Sequence, residues 1–150
     1  MLGTIIKHIP GHGLAKVDSH FSTPYINKSL QYLLKNDFKA FKNKNSFFAM
    51  TGHLIFNQID KDNTVTHSRK MIDIIRKKIG FKNLLISDDL SMKSLKKGLK
   101  INTIDTFKAG CNLALHCNGK LKEMEIVGKN SPLVSKFIIK KTSQFYNILR

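Results

Sequence analysis

The sequence predicts an α/β fold with parallel strands. Three observations carry the prediction. Four apolar runs of strand length alternate with stretches whose apolar residues recur at helical spacing. Strands separated by helical crossovers must run parallel. Two of the runs, S-F-F-A-M and N-L-L-I, are almost continuously apolar, as strands covered on both faces are.

The first strand is expected over Gly3 to Ile9, closing on Lys7 and His8. Pro10, Gly11 and Gly13 then bend the chain into a loop that carries His12, Asp18 and His20. Leu30, Leu33, Leu34, Phe38 and Phe41 mark a helix that ends in K-N-K-N at 42–45. The second strand is Ser46 to Thr51, followed by Gly52, His53 and a loop over Asn57 to Thr66. Ser68 is an N-cap for a helix whose buried face is Met71, Ile72, Ile75 and Ile79; Lys77 and Lys78 suit its C-terminal dipole and Gly80 its left-handed stop. The third strand, Phe81 to Ser87, ends in Asp88 and Asp89. A short Lys-rich helix near Met92 to Leu99 and another near Thr103 to Ala109 are expected next, then the fourth strand, Cys111 to Cys117. A polar turn and a last helix over about Pro132 to Leu149 complete the chain.

Composition narrows the function. The chain has 150 residues, enough for one domain, and 41% hydrophobic residues, enough for a core. No apolar run reaches membrane-spanning length, and no secretory pattern opens the chain. Two cysteines make no disulfide framework, so a cytoplasmic setting is expected. A net charge of +16 raises nucleic acid as a partner, but only three of the 26 basic residues are Arg, the residue that clamps phosphates and reads bases. Codon bias toward Lys, Asn, Ile and Phe explains the charge better, and no nucleic-acid or membrane partner is expected.

The chemically capable residues are not spread evenly. Lys7, His8, His53, Asp88, Asp89, His116 and Asn118 all fall near C-terminal strand ends, where chemistry collects in α/β sheets and barrels. The chain has no Glu before Glu123, so carboxylate chemistry in its first two-thirds must use Asp. Asp88 continues a buried strand and is a candidate nucleophile or base; Asp89 next to it is the better candidate for a helix cap. Asp18 and His20 can pair as an orienting carboxylate and a proton carrier. His8 and His12 are four apart, but Pro10 and the glycines deny them a shared helix face, so no metal site is expected, and no cofactor motif is present.

Four blocks in order, K-H-I-P-G-H-G with D-S-H, M-T-G-H, I-S-D-D-L-S-M and C-N-L-A-L-H-C-N, resemble the bacterial β-N-acetylglucosaminidases of glycoside hydrolase family 3, cytoplasmic enzymes of peptidoglycan recycling. The resemblance covers essentially the whole chain. It implies that Asp88 is the nucleophile, His20 the acid/base paired with Asp18, Lys7 and His8 sugar-binding residues, and Met92 an apolar wall of the innermost subsite. Gly52 stands where the family block has Ala. It also implies a TIM-type (β/α) barrel of which residues 1–150 form the C-terminal half, about four parallel strands with crossover helices. The N-terminal half, with its sugar-gripping Asp and Arg residues, is absent from this sequence. The expected substrate is an N-acetylglucosaminyl muropeptide. A lone half-barrel would expose two strand edges and an apolar inner face, so the other half or self-association is expected to complete it, and the chain alone is expected to be inactive. The alternative is a non-catalytic sugar-binding or assembly module.

Overall fold

The computed structural model describes residues 4–149. Gly3, the expected start of the first strand, lies outside them. Four strands, β1 (Ile5–Ile9), β3 (Phe48–Thr51), β5 (Leu84–Asp89) and β6 (Leu113–Leu115), form one parallel sheet in chain order. Strand order that follows chain order is the winding of a (β/α) barrel, and four strands are half of its eight. Strands β2 (Tyr25–Ile26) and β4 (Ile55–Phe56) make a separate parallel pair, in segments to which the sequence pattern assigns no strand. The helices are α1 (Leu30–Lys35), α2 (Arg69–Ile74, prolonged by a π turn to Ile79), α3 (Leu99–Ala109), α4 (Leu121–Asn130) and α5 (Lys136–Leu149).

Register explains the two faces. Ile6, Ala49 and Leu85 are aligned across the sheet and join a core with Leu33, Phe38, Met71, Ile72 and Ile75 from the helical layer. Ile5, Phe48 and Leu84 alternate with them onto the other face, followed one step along by Lys7, Met50, Ile86 and Leu113. On that second face Ile5 is exposed and Phe48, Met50, Ile86 and Leu113 are only half-buried. Phe145 of α5 covers its N-terminal end, edge-on to Phe48 with ring centroids 5.0 Å apart. β1 and β6 are the sheet's edges. Much apolar side chain outside the sheet is also uncovered: Leu121, Leu133, Val134 and Tyr146 are each more than half exposed.

Local signals act where expected. Ser68 caps α2 by accepting from the Met71 N–H at 3.2 Å, and Gly80 ends the following turn at φ 85°. Three expectations need correction. Residues 90–98 form turns instead of a Lys-rich helix. Leu90, Met92 and Leu95 each bury their side chains, and Gly98 takes φ 78°, so packing and a left-handed residue override a weak helical pattern. The helix after them starts at Leu99, earlier than expected. The polar turn before the last helix contains α4, a short helix that buries none of its residues and leaves Leu121, Met124 and Ile126 exposed.

One half-buried histidine links this core to pH. His67 donates from Nε2 to the Asn102 carbonyl at 3.1 Å. Burial, with His53 and Lys97 adding to it against Asp105, holds its pKa down at about 4 from an ordinary 6.5. The unfolded chain therefore takes up a proton near pH 6.5 that the folded chain refuses. Stability is complete above that pH and falls as pH drops toward 4, by about 3 kcal/mol from this group. Urea unfolding across that window should show a shallower loss in His67→Gln than in the parent; equal slopes would refute the assignment.

Candidate active site

β1 delivers Lys7 and His8 to the C-terminal rim, and the chain turns away at once through Pro10 and Gly11. The turn is tight because the Asp37 carboxylate lies directly against Gly11 and beside Gly13; a side chain at Gly11 would collide with it. Burial raises the pKa of Asp37, with the Gly13 backbone and His12 opposing. Asp37 was not among the sequence-level candidates. Its signal was its isolation, as the only acid between Asp18 and Asp60.

Further along this loop Asp18 and His20 form a closed pair. Asp18 Oδ1 accepts both the His20 backbone N–H and the ring Nδ1–H, each at 2.8 Å. These two bonds hold the Asp18 carboxyl below its ordinary pKa. With Nδ1 engaged, Nε2 is the nitrogen left to carry a proton outward. His20 is 71% exposed, so the pair stands over the surface on a loop and is not locked into the core.

β5 ends in the two aspartates, which do different things. Asp88 Oδ2 lies 3.5 Å from His8 Nε2, while its Oδ1 accepts the Asp89 N–H at 2.9 Å. Asp88 is 15% exposed, fixed by a strand and open on one side. Burial lowers the His8 pKa, and Asp88 partly restores it, with His12, Lys7 and His20 opposing. Asp89 turns away into structure. Its carboxylate accepts the Ser91 N–H, the Ser91 hydroxyl and the Cys117 N–H at 3.0, 2.7 and 3.3 Å. Burial works against its charge, but these donors hold its pKa below the ordinary value. It thus braces an Asx turn where a helix cap was expected.

His53 is fully buried behind this rim. Its Nε2 donates to the Asp89 carbonyl at 3.0 Å and its Nδ1 accepts from Thr66 at 2.8 Å. Burial depresses its pKa, which suits a neutral ring with one donor and one acceptor. Gly52 gives His8 room: a Cβ there would lie 3.2 Å from His8 Cβ and still closer to Leu54.

Lys7, His8, Asp18, His20 and Asp88 line one cleft of about 390 Å³, together with His12 and Asp37. Met92 is not in its wall; it is 7% exposed, within the turns that follow β5. Among the described residues no group of three His, Cys, Asp or Glu is placed to hold a metal ion. No helix among them is long and apolar enough to cross a membrane. Arg76, one of the three arginines, is spent on structure, bonding the Phe81 and Asn83 carbonyls and Asn112 at the opposite end of the sheet.

A parallel β/α sheet whose C-terminal rim gathers a strand-end carboxylate and a looped His–Asp pair into one cleft places the chain in the (β/α)-barrel class. The model of the glycosyl hydrolase family 3 N-terminal domain matches residues 1–142, and the chain belongs to that family. It is 31% identical over 148 residues to a β-hexosaminidase of Psychromonas ingrahamii, covering 95% of this chain and 42% of the relative. It is 35% identical over 120 residues to a β-hexosaminidase of Haemophilus influenzae, covering 75% and 34%. The crystal structure of NagZ from Neisseria gonorrhoeae in complex with N-trifluoroacetyl-D-glucosamine superposes with a TM-score of 0.80 at 28% identity, covering 94% of this chain and 41% of that one. The chain spans about two fifths of the length of such relatives.

Proposed function

We propose that this chain carries the nucleophile and the acid/base of a retaining exo-β-N-acetylglucosaminidase, and that residues 1–150 are the C-terminal half of its catalytic barrel. The observation that carries the reading is the shared cleft: Asp88 on a rigid strand end and the Asp18–His20 pair on a loop line the same space. The β-hexosaminidase relatives and the N-acyl glucosamine ligand of the gonococcal protein support a sugar of that class.

In the first step Asp88 attacks the anomeric carbon. A glycosyl ester forms, the glycosidic C–O bond breaks, and the Nε2 proton of His20 passes to the leaving oxygen. In the second step His20 Nε2 takes a proton from water, whose oxygen attacks the same carbon and releases Asp88. Asp18 keeps Nδ1 protonated throughout and stabilises the imidazolium. Lys7 and His8 hold sugar hydroxyls. Met92, in the turns after β5, gives the sugar an apolar contact beyond the cleft wall through the small part of its side chain left uncovered. The muropeptide substrate, its role in peptidoglycan recycling and a cytoplasmic location belong to the same proposal, as does the N-terminal half-barrel that would cover the second sheet face.

The test is covalent trapping. With the barrel completed by an N-terminal half, a slow fluorosugar substrate should leave its label on Asp88, read by peptide mass spectrometry. Label on another residue, or normal turnover without any label, would overturn the assignment. The 150-residue chain alone should not turn over an aryl β-N-acetylglucosaminide.

A further inference from the structure

The acid/base pair sits on an arch of chain that the core does not hold. From Lys16 to Ser22 every residue but Ser19 is exposed, and Phe21, next to His20, is 73% exposed. Burial of apolar surface therefore does little to fix the arch. Within itself the arch is tight. The Asp18 carbonyl accepts the Phe21 and Ser22 N–H groups, each at 3.1 Å, and the Asp18 carboxylate holds His20. Such a unit moves as one body, so its place over the cleft depends on what ties it down on either side of His20.

Hydroxyls tie it on both sides. Ser19 is 6% exposed, and its Oγ shares a hydrogen bond with His12 Nε2 at 3.4 Å. His12 lies against His8 of the β1 rim, with ring centroids 5.4 Å apart. Thr23 is 9% exposed, and its hydroxyl donates to the Ser94 carbonyl at 2.8 Å across 71 residues of chain. Ser94 belongs to the turns that continue β5 past Asp88, and the buried Leu90, Met92 and Leu95 anchor those turns. The Thr23 bond thus joins the segment that bears the proton carrier to the segment that bears the nucleophile. We propose that Thr23 is a positioning residue that, with Ser19 as the second pin, sets the distance from His20 to Asp88, a role that rests on the hydrolase reading. A proton donor acts only within hydrogen-bond reach of the leaving oxygen, and a misplacement of about 1 Å can cost about a hundredfold. Thr23 is not in the cleft wall, so its loss should spare sugar binding.

The test is a series of aryl β-N-acetylglucosaminides, differing in the acidity of the released phenol, turned over by the completed barrel. Thr23→Val keeps the shape of the side chain and removes its hydroxyl. It should lower kcat by about ten- to a hundredfold on the least acidic phenols, with KM changed by less than about twofold. On the most acidic phenols, which need little protonation, kcat/KM should fall by less than about threefold. Thr23→Ser keeps the hydroxyl and should restore most of the loss. If Thr23→Val does not fold, Ser19→Ala removes the other pin and should give the same leaving-group dependence. Equal losses across the series, a loss carried by KM, or Thr23→Ser no better than Thr23→Val would overturn the proposal, because a hydroxyl that only stabilises the fold gives no such pattern. The two readings can be told apart in failure. If the parent carries no fluorosugar label on Asp88, both fall; label on Asp88 with equal losses across the series removes only the role of Thr23.

Discussion

Replacing Asp88 by Asn is expected to lower kcat/KM of the completed barrel by about four to six orders of magnitude. The reason is chemical and not architectural. The amide has nearly the same shape, and its oxygen can still accept the Asp89 N–H that Asp88 Oδ1 accepts now. What it lacks is the anionic oxygen that bonds to the anomeric carbon. Both half-reactions therefore fail, since the second consumes the ester made in the first. Steady-state hydrolysis of an aryl β-N-acetylglucosaminide, paired with thermal melting, separates the possibilities. Activity lost at unchanged melting temperature is the expected pattern. A variant within tenfold of the parent would remove Asp88 from the mechanism.

His20→Ala is expected to cost about two to four orders of magnitude on substrates with poor leaving groups, the usual worth of a positioned proton donor. With a very acidic phenol as leaving group the first step needs little protonation, and the loss should shrink. Deglycosylation then becomes limiting, because water has lost its base, and a burst of released phenol should precede slow turnover. His20 is largely exposed, so the fold should be indifferent to its loss. Equal losses across a leaving-group series would mean that His20 acts on binding and not on proton transfer.

Part of this site could be read directly from the chain. Lys7 and His8, Asp88 and Asp89 all end apolar runs, and a strand's direction alone places them on one rim. Asp18 and His20 are two apart, close enough for one carboxylate to engage both the N–H and the ring of its neighbour. Ser68 and Gly80 bound a helix by backbone chemistry that needs no partner. Other parts had no local signal. Asp37 reaches Gly11 from a different element. His53 earns no role from its neighbours in sequence, because Thr66 and the Asp89 carbonyl come to it through the fold.

Residues 90–98 and Met92 show the boundary most clearly. Local propensity there favours a Lys-rich helix, but Leu90, Met92 and Leu95 find separate places to bury, and burial outweighs a few tenths of a kcal/mol of propensity per residue. The two aspartates of the D-D pair differ in the sequence only by position, Asp88 continuing the strand and Asp89 being the better cap candidate. Packing parts them, leaving Asp88 beside His8 in the cleft and turning Asp89 toward Ser91 and Cys117. By itself, then, the amino-acid order determined which residues end strands and which pairs lie within reach of one another, since both depend only on short-range stereochemistry and on which side chains water expels. Tertiary structure alone decided that Asp37 lies against Gly11 and that His53 is buried between Thr66 and the Asp89 carbonyl, because those depend on contacts between segments well separated in the chain.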